Sequence, residues 1–379
     1  MSSTTRDRTG DADRSAARRP CFASGGDVFR EIQQDVEAIL AHRGTRRWAD
    51  LRLRVKAVVA VGVLALAWTL LVTTSPGLLA GIACLIGVGL GAMLVGFSVQ
   101  HDANHGASFG ARRWNRIVGF SADSLLGFSS YAWRVKHNVA HHTYTNVDGY
   151  DDDITQVPLA RLLPVQRSRP WYRLQQFYIW PLYSLMVLRL QVIGDAAAFI
   201  RGSIGRSRLR VPRGWDLAGL LSGKLVYIGW AVVIPLLIYP WWVVAIAYLC
   251  VSMAVSIVMA TTFQLAHCVE EASCPTSDEL GDGSRVWAVH QIESTVDFCP
   301  RNPVLTWMLG GLNYQIEHHL FPRLPHTLYP KIAHVVRARA EQHGVRYTVQ
   351  PTLWRALCSH AGHVREMGRR GEPAEIEMG

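Results

Sequence analysis

Charge is what this 379-residue chain has least of: Asp, Glu, Lys and Arg together make up 18% of it, against 49% apolar residues, and its mean hydropathy is +0.11. Soluble domains carry about 25% charge, so the balance points away from an ordinary soluble protein. The seven cysteines contain no Cys-x-x-Cys pair, which removes the common zinc and dithiol spacings; they read as reduced or buried thiols. The first 25 residues are polar and Arg-rich with no apolar stretch, so no cleavable secretory signal is expected. That stretch and the tail after Glu366 read as disordered. Neither an internal repeat nor a low-complexity array is present. Lysine is scarce beside arginine, a compositional hint of a GC-rich bacterial genome.

The apolar residues fall into four blocks, Val55 to Thr73, Gly77 to Val99, Leu217 to Tyr239 and Trp241 to Phe263. Each is long enough to cross a hydrocarbon core of about 30 Å as a helix of roughly 20 residues. Thr74 to Pro76 and the Pro240-Trp241-Trp242 corner carry turn and interfacial residues, so two hairpins of spanning helices are expected; Lys224 makes the third boundary the least sharp. Lys and Arg number 12 up to Lys56, 15 from Ala103 to Asp216 and 11 after Phe263, with none in either short link. By the positive-inside rule both termini and the long central segment are cytoplasmic, which places the chain in a cell membrane, most simply a bacterial one. The net charge of +10 is spread over all these stretches without a recognition motif, which argues against nucleic acid as a partner. The interrupted run Trp171 to Ile193 suits an amphipathic helix in the interface better than a fifth span. Trp114 to Trp133 has the same mixed character, and Pro330 to Gln342 reads as a mildly amphipathic helix. The expected fold is all-α: a cytoplasmic segment 1–46, a membrane domain 47–347 with a cytosolic helical cap from 101–216 and 264–347, and a tail 348–379.

Of 15 histidines, eight sit in three clusters or just beyond the fourth span. His101 and His105 follow the second span at a spacing that puts both imidazoles on one helical face. His137, His141 and His142 form the second cluster, His318 and His319 the third, and His267 follows the fourth span. An even number of spans between the second and third clusters returns the chain to one side, so the clusters can converge. A zinc site needs only three or four protein ligands, whereas this excess suits two metal ions; the donor types alone leave iron, manganese and zinc open. Asp102, Glu317, Asp151, Asp152 and Asp153 lie where they could orient ligating imidazoles, as do Glu270 and Glu271. For the triple Asp a solvated acidic turn is an equal reading. A metal transporter or sensor is the alternative from another class, but it requires ionisable ligands inside the spans, which these almost lack.

The three clusters, His-Asp-Ala-Asn-His, His-Asn-Val-Ala-His-His and Gln-Ile-Glu-His-His, resemble the three histidine boxes of membrane fatty acid desaturases. The Gln heading the third resembles the front-end, or linoleoyl-CoA type, branch. The resemblance covers roughly Arg47 to Tyr347. It implies a di-iron centre with His101, His105, His137, His141, His142, His267, His318 and His319 as ligands and Gln315 at the remaining position. Asn138, within the second box, and His290 then belong to the surrounding or substrate-lining residues. The implied reaction removes two hydrogens from adjacent methylenes of a fatty acyl chain, held as acyl-CoA or acyl-lipid, using dioxygen and two electrons. Relatives often carry a fused cytochrome b5 domain, but no His-Pro-Gly-Gly motif occurs here. A separate donor is therefore implied, a ferredoxin or a cytochrome b5-like or flavoprotein reductase. A hydroxylase of alkanes, carotenoids or sphingolipids built on the same boxes is the alternative within enzymes.

Overall fold

The computed structural model describes residues 20–23, 26–42 and 51–371. Four long helices follow the four apolar blocks: α2 (Leu51–Thr74), α3 (Leu78–His105), α8 (Trp215–Ile238) and α9 (Trp241–His267). Their outward faces carry exposed side chains such as Leu78, Leu79, Leu225 and Leu237, an apolar surface that water would oppose and a bilayer covers. The chain is a membrane protein. Between α2 and α3 the contact is backbone-close: a Cβ on Gly91 would lie 2.6 Å from the Leu64 nitrogen, and one on Gly87 would lie 2.7 Å from the Ala67 Cβ. Small residues four apart permit this approach in membrane helix pairs. Lys224 leaves α8 uninterrupted because its Nζ reaches out to Asp195 at 3.0 Å and to the carbonyls of Gly127 and Gln191.

Before the spans, α1 (Asp27–His42) is amphipathic, burying Val28, Ile32, Val36 and Leu40 at a four-residue interval. Between the second and third spans lie α4 (Arg112–Leu126), α5 (Ser130–Trp133) running into a π-helical segment (Arg134–His141), and a bent pair, α6 (Pro170–Ser184) and α7 (Met186–Arg201), meeting at 54°. That bend accords with the interrupted apolar run there. The rest of the cap is α10 (Trp287–Ser294), α11 (Pro303–Met308), α12 (Gln315–Leu320), α13 (Tyr329–Gln342) and α14 (Leu353–Arg369). A two-residue parallel ladder, Asp297–Phe298 with Val349–Gln350, ties the segment after α10 to the start of α14.

Two expectations of disorder need correction. Pro20 to Ala23 is built into the cap, with Ala23 bridged to Val286 and Pro20 buried; residues 1–19, 24 and 25 lie outside the described residues. The chain also does not loosen at Glu366, because α14 continues to Arg369 and residues 372–379 alone lie beyond description. The physical reason is a buried stripe, Ala356, Ser359, His360, His363, Val364 and Met367. Fully buried Arg161 also donates to the carbonyls of Arg370 and Gly371 at 2.7 and 3.0 Å, capping the helix.

Candidate metal centre

Local structure aims each cluster. The last turn of α3 carries His101 and His105, and Gly106 then takes a left-handed conformation (φ 78°) that lets the chain leave directly after His105. In the second box the π-turn closes a bond from the His142 amide to the His137 carbonyl, 2.9 Å. Residues five apart thereby share a face, and the Nε2 atoms of His137 and His142 lie 3.2 Å apart. His267 is the last residue of α9, and His318 and His319 sit one turn after Gln315 in α12.

All eight histidines converge and all are buried. Ligand atoms of His101, His105, His137 and His318 lie within 4.8 Å of one another, as do those of His141, His267 and His319, while His142 joins His318 and His319. These are two overlapping half-sites. The His142 Nε2 is 3.1 Å from that of His318, close to the roughly 3.0 Å expected between cis nitrogens bound at about 2.1 Å to one ion.

Outer partners fix the rings. His137 Nδ1 faces Asp153 at 3.0 Å, His141 Nδ1 faces Asp151 at 2.9 Å, His318 Nδ1 faces the Tyr329 hydroxyl at 3.1 Å and His319 Nδ1 faces Gln291 Oε1 at 2.8 Å. Each such contact leaves Nε2 to point inward. Asp151 is itself held by the Asn146 amide at 2.9 Å. Gln291 and Tyr329 were not foreseen. Their signal was available only as polar residues at helical spacing on cap segments.

The inward atoms test the fit to a metal. Among the described residues, Nε2 of His105, His141, His267 and His319 and Oε1 of Gln315 are buried without a hydrogen-bond partner. Each orphan of this kind costs about 1–3 kcal/mol, and five lone-pair donors facing one enclosure fit cations. Burial pushes the His137 imidazole down to about 3 against the pull of Asp153. Burial and neighbouring imidazoles hold His142, His318 and His319 well below the ordinary value. At His141 burial opposes charge, yet the Asp151 carboxylate carries it above the usual value. The set is thus mostly neutral imidazole, the ligating form.

Other expected residues lie elsewhere. Asp152 sits 3.9 Å from Lys136 and meets no imidazole. Asn138 donates to the Asn104 carbonyl at 2.9 Å, tying the second box to the first. Glu317 accepts from the Tyr347 hydroxyl at 2.9 Å beside Asp297, whose carboxyl burial raises to about 6. His290 is buried under Phe22, ring centroids 5.0 Å apart, outside the histidine groups. The Glu270 backbone amide donates to the Ser359 hydroxyl of α14, and the Glu271 carboxylate accepts from Ser359 and from Gln350. Asp102 faces His326, as described below.

A family model for the fatty acid desaturases matches residues 75–351. The chain belongs to the fatty acid desaturase family. As a member it is a membrane fatty acyl desaturase, an oxidoreductase of lipid metabolism. It is similar to the sn-1 linoleoyl-lipid 6-desaturase of Arthrospira platensis, 32% identical over 366 residues, which are 96% of this chain and 99% of the relative. The sn-1 linoleoyl-lipid 6-desaturase of Synechocystis is 33% identical over 358 residues, 93% and 99% of the two chains. The acyl-lipid (8-3)-desaturase of Physcomitrium patens is 32% identical over 350 residues, 91% of this desaturase but 72% of that longer protein.

Proposed function

We propose that this desaturase holds two iron ions on its eight converging histidines and, with dioxygen and electrons from a separate donor, desaturates a linoleoyl-type chain esterified to a membrane lipid. The new double bond forms on the carboxyl side of the existing one. The observation that carries the reading is the convergence of three boxes and His267 into two buried half-sites with partnerless ligand atoms. Iron supplies the one-electron and dioxygen chemistry that imidazole-rich non-haem sites support. Asp151, Asp153, Gln291 and Tyr329 hold the rings in place, and Gln315 offers a weaker amide donor beside them. The substrate preference is taken from the two linoleoyl-lipid relatives and from the glutamine heading the third box.

Two cavities support a lipid substrate. An apolar one of about 320 Å³ lies among the spans, bordered by Trp68, Val88, Tyr227, Tyr248 and Met259. A smaller one beside Trp133 and Lys136 carries Arg189 and Arg201 at its edge. Phe128 borders both. The apolar cavity suits the methyl end of a chain and the arginine-edged one suits its carrier. Trp133 stacks on His137 with centroids 4.3 Å apart, so a chain passing between the cavities runs next to the histidines. The basic side, with both termini and all boxes, faces the cytoplasm, where an acidic ferredoxin-type donor can dock.

The test is a purified sample in vesicles of linoleoyl glycerolipid, supplied with ferrous ion, ferredoxin and its reductase. Mass spectrometry of the released acids should show a product two hydrogens lighter that forms only with dioxygen. A product one oxygen heavier would identify a hydroxylase and overturn the proposal.

A further inference from the structure

One buried cation has no part in the site so far. Lys56 lies in the first span, is 2% exposed and turns inward, while Arg52 and Arg54 on the same helix end are exposed. An ionisable side chain taken out of water at a membrane helix is costly unless a specific partner compensates it. Its Nζ lies 3.0 Å from His326 Nε2 and 5.1 Å from the centroid of the Trp307 ring. His326 Nδ1 in turn lies 2.9 Å from Asp102 Oδ2, and the His326 amide donates to the same oxygen at 3.3 Å. The other oxygen of Asp102 is 3.6 Å from His101 Nδ1. Lys56, His326, Asp102 and His101 are all buried.

The chemistry of these groups gives the chain a direction. An ammonium group can only donate, so His326 must accept at Nε2 and carry its proton on Nδ1. That proton points at Asp102. Asp102 is thereby kept as an anion with one oxygen doubly engaged; the other lies 3.6 Å from His101 Nδ1, close enough for its charge to act on the ring but too far for a hydrogen bond. A carboxylate charge behind an imidazole raises its donor strength, and a hydrogen bond closed there when a metal seats the ring would fix its orientation. In the other half-site His141 also has a carboxylate behind it, but Asp151 is held by the backbone amides of Asn146 and Asp153 and not by an imidazole and an ammonium, and His319 Nδ1 meets only the neutral Gln291 amide and Thr145 hydroxyl.

We propose that Lys56 and His326 are positioning residues of the metal centre, which together with Asp102 form a charge-compensated relay that sets the orientation and donor strength of His101. The relay makes the half-site of His101, His105, His137 and His318 electronically distinct from that of His141, His267 and His319. The inference rests on His101 being a metal ligand, as proposed above.

The test uses the full chain in detergent, anaerobic ferrous ion as the probe, and chelator competition with Mössbauer spectroscopy as readouts. Lys56→Met and His326→Leu should weaken one of two ferrous sites about ten- to hundredfold and change the quadrupole splitting of one iron only. His326→Gln should restore parental behaviour, because its amide can accept from Lys56 and donate to Asp102. If Lys56→Met does not fold, judged by size exclusion and thermal unfolding without metal, the His326→Leu and His326→Gln pair decides alone. Parental affinity and an unchanged spectrum in folded His326→Leu would overturn the relay, as would failure of His326→Gln to recover. His101→Ala separates the two ideas. If it keeps both irons, the ligand reading fails; if it loses one while His326→Leu loses none, the relay alone fails.

Discussion

At the scale of single residues, the site is a set of inward lone pairs, and His137, His141, His318 and His319 are held by bonds made on the far side of the ring. Gln315 is the exception in kind, since its buried Oε1 has no donor among the described residues. An amide oxygen binds iron more weakly than imidazole does. Gln315→His should therefore keep activity within about threefold, whereas Gln315→Val should lose at least about tenfold, because it removes the donor atom altogether. Equal turnover of Gln315→Val and parent in the vesicle assay would show that the residue stands outside the metal environment. Asp151 tests the outer bonds. Asp151→Ala removes the acceptor for His141 Nδ1 and for the Asn146 amide. Ferrous affinity should fall about ten- to hundredfold, and Asp152→Ala, which meets no imidazole, should leave it unchanged in the same titration.

At the scale of elements, the close hairpin of α2 and α3 sets the height and rotation of His101 and His105. A valine at Gly91 would drive its Cβ into the Leu64 backbone at 2.6 Å. Overpacking of this kind costs about 1–3 kcal/mol, or about 2–4 °C of thermal midpoint per kcal/mol in a protein somewhat smaller than this. Gly91→Val should lower the midpoint in detergent accordingly, and Gly62→Ala, with nothing within 4 Å, should not. The elements themselves were largely legible: each of the four apolar runs became a span, because length and uniform hydrophobicity decide that outcome without tertiary help. The histidine spacing was legible too, since box residues one turn apart must share a face. What escaped was docking. α1 and α14 have clear amphipathic stripes, Val28 to Leu40 and Ala356 to Met367, but a stripe does not name the surface it will meet. Nor could the roles of His326 and Lys56 be read, because their bond joins residues 270 positions apart. Asp102 was foreseen near an imidazole; that its strongest bond is to His326 depends on the turn after Pro325.

At the scale of the whole molecule, the two-hairpin topology proposed here places Cys21 and Cys358 on the side of the histidines. Cys21 and Cys358 are exposed, so a membrane-impermeant maleimide should reach both from the same side of sealed, oriented vesicles. Labelling from opposite sides would break the two-hairpin topology. The metal centre is also tied to the ends of two spans, since His105 closes α3 and His267 closes α9, helices of 28 and 27 residues. At about 1.5 Å per residue such helices are roughly 40 Å long, about 10 Å more than the hydrocarbon they cross. The histidines thus stand at headgroup depth, at a height set by how much helix the lipid covers. A bilayer that thickens draws more of each span into hydrocarbon or forces it to tilt, at a fraction of a kcal/mol per Å. Turnover on one substrate should then change steadily across nanodiscs of increasing acyl length, and a flat response would mean that the cap moves independently of the spans. On the acyl-lipid reading proposed above, more unsaturated chains pack into thinner, more fluid membranes, so a steady response would couple the enzyme, through its span ends, to a medium that its own product remodels.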